Sequence, residues 1–204
     1  KKRMKNNTKK IKQYSMLALA ASAVIPMACK EDKTEPDDPE IDVISPNFTT
    51  TTTGPYEYRD SIFRIGTTDV EVFCSVGSYY GDKIAYVEFD GYSRFQNDND
   101  VTLNGGSWDF LRIANSGTTV DTAYINWNEN NDEGYLFVND LLPTPASSGI
   151  NGQGDKFVAF RSGSALSFKY GWMKVNVSTD GNTLTIKEIA LSNVNNKVIK
   201  VGAK

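Results

Sequence analysis

Histidine is missing from all 204 positions, and that absence closes more chemical routes than any other feature of the chain. Without an imidazole there is no Ser-His-Asp or Cys-His nucleophilic arrangement and no His-containing zinc site. Cysteine is nearly as scarce, at two residues, Cys29 and Cys74, which removes thiolate metal clusters. No Gly-x-x-x-x-Gly-Lys phosphate loop occurs. The main apolar run, "MLALAASAVIPMA" at 16–28, has thirteen residues, too few for a membrane-spanning helix, which needs about 20. Proline is sparse and clustered: four of the seven fall between residues 30 and 58.

The charge that is present is unevenly placed. The net is −3, yet residues 1–28 hold seven basic residues and no acid. The rest carries fifteen basic and twenty-five acidic residues, a net of −10. That sign argues against nucleic acid as a partner, because such binding rests on basic clusters. A basic head, a short apolar stretch without 3.6-residue alternation and a small residue before a cut site read as a secretory signal over residues 1–28. Ala28-Cys29 at its end resembles the lipobox of bacterial lipoproteins. The following "CKEDK" looks like the lysine-plus-acids export signal of Bacteroidetes-type surface lipoproteins. The resemblance implies lipidation of Cys29, a membrane partner reached through that lipid, and display on the outer face of the outer membrane. Three acyl chains, as that family carries, would exceed the two-signal threshold for stable anchoring, each buried CH₂ adding about 0.8 kcal/mol.

Residues 29–58 combine prolines, acids and five consecutive threonines from Thr49. Such a composition buries too little apolar surface to offset ordering entropy, so it reads as a tether, with "IDVI" at 41–44 able to add as an edge strand. From about Arg59 to residue 204 the pattern becomes short β-type runs. These are "VEVFCSV" (70–76), "KIAYVEF" (83–89), "WDFLRI" (108–113), "VDTAYINW" (120–127), "GYLFVN" (134–139) and "KFVAFR" (156–161). "LSFKYGWMKVNVS" (166–178), "TLTIKEIAL" (183–191) and "VIKV" (198–201) follow. They are rich in β-branched and aromatic residues and separated by Gly-, Asn- and Asp-rich breaks such as "SSGINGQGD". Asp180-Gly181 predicts a hairpin with a type I′ turn. Alternation predicts Leu184 and Ile186 on one face, with Met173, Val175 and Val177 opposite to Trp172, Lys174 and Asn176. No helical period appears after residue 30, and about ten short strands over such a length predict one all-β antiparallel sandwich or jelly roll. Cys74, alternating with polar residues, is expected to point into the core as an inert thiol; a Cys29–Cys74 disulfide stays open only if Cys29 is not lipidated.

Residues 154–202 resemble a recurrent C-terminal block of secreted bacterial β-proteins. The Phe157–Arg161 strand, Tyr170-Gly171-Trp172, Thr183–Ile186 and the closing Ile199–Gly202 match it. Ala190-Leu191-Ser192 stands where that group has Ala-Tyr-Glu. The resemblance implies an extracellular β-sandwich and no settled activity.

Chemistry that survives these exclusions rests on carboxylates, oxygen-rich loops and aromatic rings. A glycoside hydrolase needs two acids about 5–10 Å apart, and no pair is marked by a motif. The loops "NDND" (97–100) and "NENNDEG" (128–134) space oxygens alternately, making Asn128, Asn130 and Asp132 candidate calcium ligands; turns use the same residues for their own backbone. Trp127, at a strand end, and Tyr79-Tyr80, in a Gly-flanked loop, are the candidate sugar-stacking residues. Trp108 and Trp172 fall within strands and read as packing residues. Three readings follow. The first is a non-catalytic surface sandwich that binds a glycan or another extracellular partner. The second is a carboxylate-dependent glycoside hydrolase with two acids in a cleft, one with a raised pKa. The third is a structural or adhesive subunit joining through an edge strand at "VIKV" or "IDVI".

Overall fold

The alternating Val, Ile, Tyr and Phe runs form strands, and no helix occurs among the described residues. The computed structural model describes residues 40–52, 54, 57–79, 82–89, 93–95, 101–103, 106–121, 133–140, 146–164 and 167–204. All of them lie in one unit, Glu35–Lys204. The early strands are β1 (Ile41–Ile44), β2 (Phe48–Thr51), β3 (Glu57–Ile65), β4 (Thr68–Tyr79) and β5 (Asp82–Phe89). Short ones follow: β6 (Ser93–Phe95), β7 (Val101–Leu103), β8 (Gly106–Trp108), β9 (Ile113–Ala114) and β10 (Thr119–Val120). The last are β11 (Glu133–Asp140), β12 (Ala146–Gly149), β13 (Lys156–Ser164), β14 (Ser167–Val177), β15 (Thr183–Ser192) and β16 (Ile199–Lys200).

Two antiparallel sheets make an all-β sandwich. The larger is built on the meander β13–β14–β15, and each of its edges is tiled end to end by two short strands. β6 and β9 pair along β13, while β1 and β2 pair along β15. The smaller sheet runs β12-β11-β5-β4-β3. Inner faces meet in one core, where Val72, Cys74 and Val87 of the smaller sheet oppose Met173, Val175 and Leu184 of the larger. Phe89 and Phe160 meet within it, their ring centroids 5.0 Å apart.

Register inside the larger sheet follows the predicted alternation until a β-bulge at Lys174/Val175. One extra residue on β15 flips parity there, so Leu184 and Ile186 are succeeded inward by Ile189 and Leu191. The same point breaks the neighbouring edge. Pro46 cannot donate to a ladder, and Asn47 takes a φ of 46°, so β1 ends and β2 begins opposite the bulge. Gly171, in the Tyr-Gly-Trp run, is required for space: a Cβ there would sit 2.4 Å from the Phe160 ring and 2.5 Å from Ala190 O.

A second core lies on the outer face of the larger sheet. Tyr170, Trp172, Ala159 and Ala190 are sealed there by Val120, Ile199 and Val201, brought over by the β10–β16 pair. Trp172 is fully buried, edge-on to Phe157 at 5.4 Å.

Several boundaries differ from the sequence reading. "IDVI" adds as the edge strand β1, as expected, but the stretch assigned to the tether, 29–58, also contributes β2, and β3 begins at Glu57. Threonine is β-branched as well as polar, and the run pairs with a threonine-bearing partner: Thr49 Oγ1 lies 3.1 Å from Thr185 Oγ1, and Thr51 Oγ1 donates to Thr183 Oγ1 at 3.3 Å. The expected break "SSGINGQGD" includes most of β12, because β11 offers an edge to pair with. The expected strand 108–113 is divided: Phe110 bridges Tyr135 in parallel, and Ile113 crosses to pair with β13. Tyr79 ends β4, paired with Asp82, instead of lying in a loop. At Asp180-Gly181 the hairpin is present but its turn is not type I′, since only Gly181 has a positive φ (68°). The Asp180 carboxylate closes that loop instead, accepting from Ser178 Oγ (2.6 Å) and Asn182 N (3.0 Å).

Candidate functional site

On the outer face of the smaller sheet, cross-strand register assembles a line of side chains that are far apart in the chain. Tyr58 pairs with Ser75, Ser75 with Tyr86, and Tyr86 with Tyr135. Neighbouring strands are about 4.8 Å apart, so the line crosses four strands and carries three tyrosine rings. Tyr58 is 54% exposed and its ring stacks on Phe73, 6.1 Å away and only 7° from parallel. Tyr86 and Tyr135 are half-buried, with centroids 5.8 Å apart. The small Ser75 lies buried between the taller rings.

Two residues along each strand, a second line holds Asp60, Phe73 and Glu88. Asp60 is exposed and Glu88 half-buried. Rings offer apolar faces and the adjoining carboxylates offer acceptors. Ile62, 62% exposed, extends the apolar surface along β3. At the far end the face is capped: Trp108 meets Tyr135 edge-on at 5.0 Å, and Phe110 packs on Ile84 and Val138. The face is thus open along β3, where Tyr58 and Ile62 are exposed, half-covered at β4 and closed at β11.

Arg59 keeps the open side in place. Its position shares the inner-face parity, yet it lies at the sandwich rim, where its guanidinium donates to Thr49 O and sits 5.0 Å over the Phe48 ring. An inward-turned charge also blunts the β3 edge against pairing with another chain. "IDVI", the strand considered for assembly, is β1 and pairs with β15; "VIKV" supplies β16, paired with β10.

Carboxyls with a shifted pKa lie elsewhere. A hydrogen bond from Lys187, seconded by Asn176, lowers the Asp155 pKa below the ordinary carboxylate range. The Ser178 hydroxyl and the Asn182 backbone do the same for Asp180. Both shifts run opposite to what a general acid requires. Among the described residues no group of three or more His, Cys, Asp or Glu is placed to hold a metal ion. Burial pushes the Cys74 thiol far above its ordinary value, against a smaller opposing pull from Arg59, so the thiol is kept protonated and unreactive.

Of the residues singled out in the sequence, Tyr79 is a strand residue at one end of β4. Cys29, Tyr80, Trp127, Asn128, Asn130 and Asp132 lie outside the described residues. Trp172 is core, and Trp108 is a half-buried cap. The tyrosine line was missed because its members come from four separate runs. The one local signal was Tyr58, an aromatic at an exposed strand position. No protein family, curated protein or solved structure matches the chain. The functional reading therefore rests on the chemistry of this face.

Proposed function

We propose that the chain is a non-catalytic, surface-displayed lipoprotein, anchored to the outer membrane through Cys29, whose sandwich binds an extracellular glycan. The observation that carries the reading is the Tyr58–Ser75–Tyr86–Tyr135 line flanked by Asp60 and Glu88. Tyrosine rings stack on the C–H faces of sugars, and carboxylates accept from sugar hydroxyls. Tyr58 and Tyr86 are two strand spacings apart, about 10 Å, the scale of every second ring along an extended oligosaccharide. A sheet holds these rings at fixed spacing, so little ordering entropy is lost on binding.

The test is a glycan array probed with the mature chain from Cys29 onward, with and without calcium. Binding to a defined glycan class, weakened about three- to ten-fold by Tyr58→Ala, is the expected result. No binding across the array would remove the glycan reading. Calcium dependence would assign a role to the loops at 97–100 and 128–134. Mass spectrometry of the mature product checks the anchor separately: an unmodified Cys29 would refute it.

A further inference from the structure

A cleft of about 290 Å³ opens at the edge of the smaller sheet, and its origin is topological. Two segments share one edge of β11. β12 runs antiparallel to it and leaves after Ile150 N donates to Leu136 O (2.9 Å). Residues 109–111 run parallel to it and grip Tyr135, which donates to Asp109 O (2.8 Å) and accepts from Leu111 N (3.0 Å). The two segments run toward each other along the same edge, so both must peel away at Tyr135–Leu136. The gap between them is the cleft. Its volume lies near the lower end of ligand pockets, about 300 Å³, and far above the roughly 15 Å³ that one water needs.

The lining has two chemical halves. Leu111, Ile113 and Ile150 are apolar; Ser148, Gln153 and Lys156 are polar. Gln153 is fixed by donating Nε2 to Gly149 O at 2.8 Å. Lys156 is half-buried and has no ion-pair partner among the described residues, whereas Lys174, Lys187, Lys197 and Lys204 are all paired. Its neighbour Asp155 is engaged by Lys187 and Lys174. A cation at the mouth of a cleft with apolar walls, unpaired among the described residues, is placed to donate a charge-assisted hydrogen bond to an arriving anion.

We propose that this cleft binds a small carboxylate with an apolar body, the carboxylate against Lys156 and the hydrocarbon against Leu111, Ile113 and Ile150. This ligand is distinct from the glycan of the tyrosine face, although Tyr135 touches both places, so the test leaves Tyr135 intact. Hexanoate and phenylacetate are titrated into the full chain against their neutral amides, following the Ile113 and Ile150 methyl signals by NMR. Both acids are expected to shift these signals and to bind at least ten-fold more tightly than the amides. Lys156→Gln, checked for native fold by circular dichroism, is expected to bring the acids down to the amide level, and Tyr58→Ala to leave their binding unchanged. The proposal is overturned if the acids leave these methyls unmoved at millimolar concentration, bind no better than the amides, or keep their advantage in Lys156→Gln.

Discussion

The two sheets present the same kind of apolar inner face, but their outer faces are finished differently. On the larger sheet the chain returns at its end and seals Tyr170 and Trp172 under Ile199 and Val201, making a second core. On the smaller sheet the cover reaches Tyr135 through Trp108 and Phe110, while Tyr58 and Ile62 are left exposed. Aromatics on the sealed face contribute to stability. Aromatics on the open face contribute much less, and an exposed stacked ring beside carboxylates is what a ligand surface requires. One small sandwich thus carries a sealed, stabilising outer face and an open one, the face proposed above to bind a ligand.

The largest effect expected is on the sealed face. Trp172→Ala removes a fully buried indole and should cost about 3–5 kcal/mol, read as a lowered urea midpoint; a loss under about 1 kcal/mol would show that the second core is not a stabilising unit. Gly181→Ala comes next. It forces a left-handed φ on a residue with a side chain and drives a Cβ to 2.2 Å from the Phe137 ring, for an expected loss of about 2–4 kcal/mol in the same assay. Tyr58→Ala on the open face should lower stability by only about 0.5–1 kcal/mol, the scale of its stack on Phe73. Equal losses for Tyr58→Ala and Trp172→Ala would erase the distinction between the faces.

The smallest effect is electrostatic and depends on pH. Asp155 is held by Lys187 at 2.6 Å and by Asn176 at 3.0 Å, which lowers its folded-state pKa. A depressed carboxyl pKa stabilises the fold above the unfolded value, about 4, and that stability is lost as pH falls through the folded value. Asp155→Asn should therefore lower stability by no more than about 1 kcal/mol at neutral pH, since the pair is partly exposed. The difference from the unmodified chain should shrink in acid, as seen by thermal melts at pH 7 and pH 3; a gap that widened in acid would contradict the assignment.

Much of the framework was legible in the sequence. Period-two runs such as "VEVFCSV" and "TLTIKEIAL" place β4 and β15, because a half-buried strand imposes alternation on its own residues. Cys74 was readable as core for the same reason, whereas alternation put Trp172 on the face of Lys174 and Asn176 and only the cover from Ile199 and Val201 buries it. The Thr49 run was not, because its pairing depends on Thr183 and Thr185 more than a hundred residues away. The division of 108–113 between two sheets was hidden in the same way, as two distant strands compete for it.

The sequence by itself determined the strand-forming segments, the absence of histidine chemistry and the acidic character of the body, since each is a property of residues and their near neighbours. The tertiary structure decided which edges pair, where the outer faces close, that Tyr58, Ser75, Tyr86 and Tyr135 stand in one line, and that a cleft opens beside Lys156. Those features depend on register between strands distant along the chain, and register is set by how two sheets bury their inner faces together.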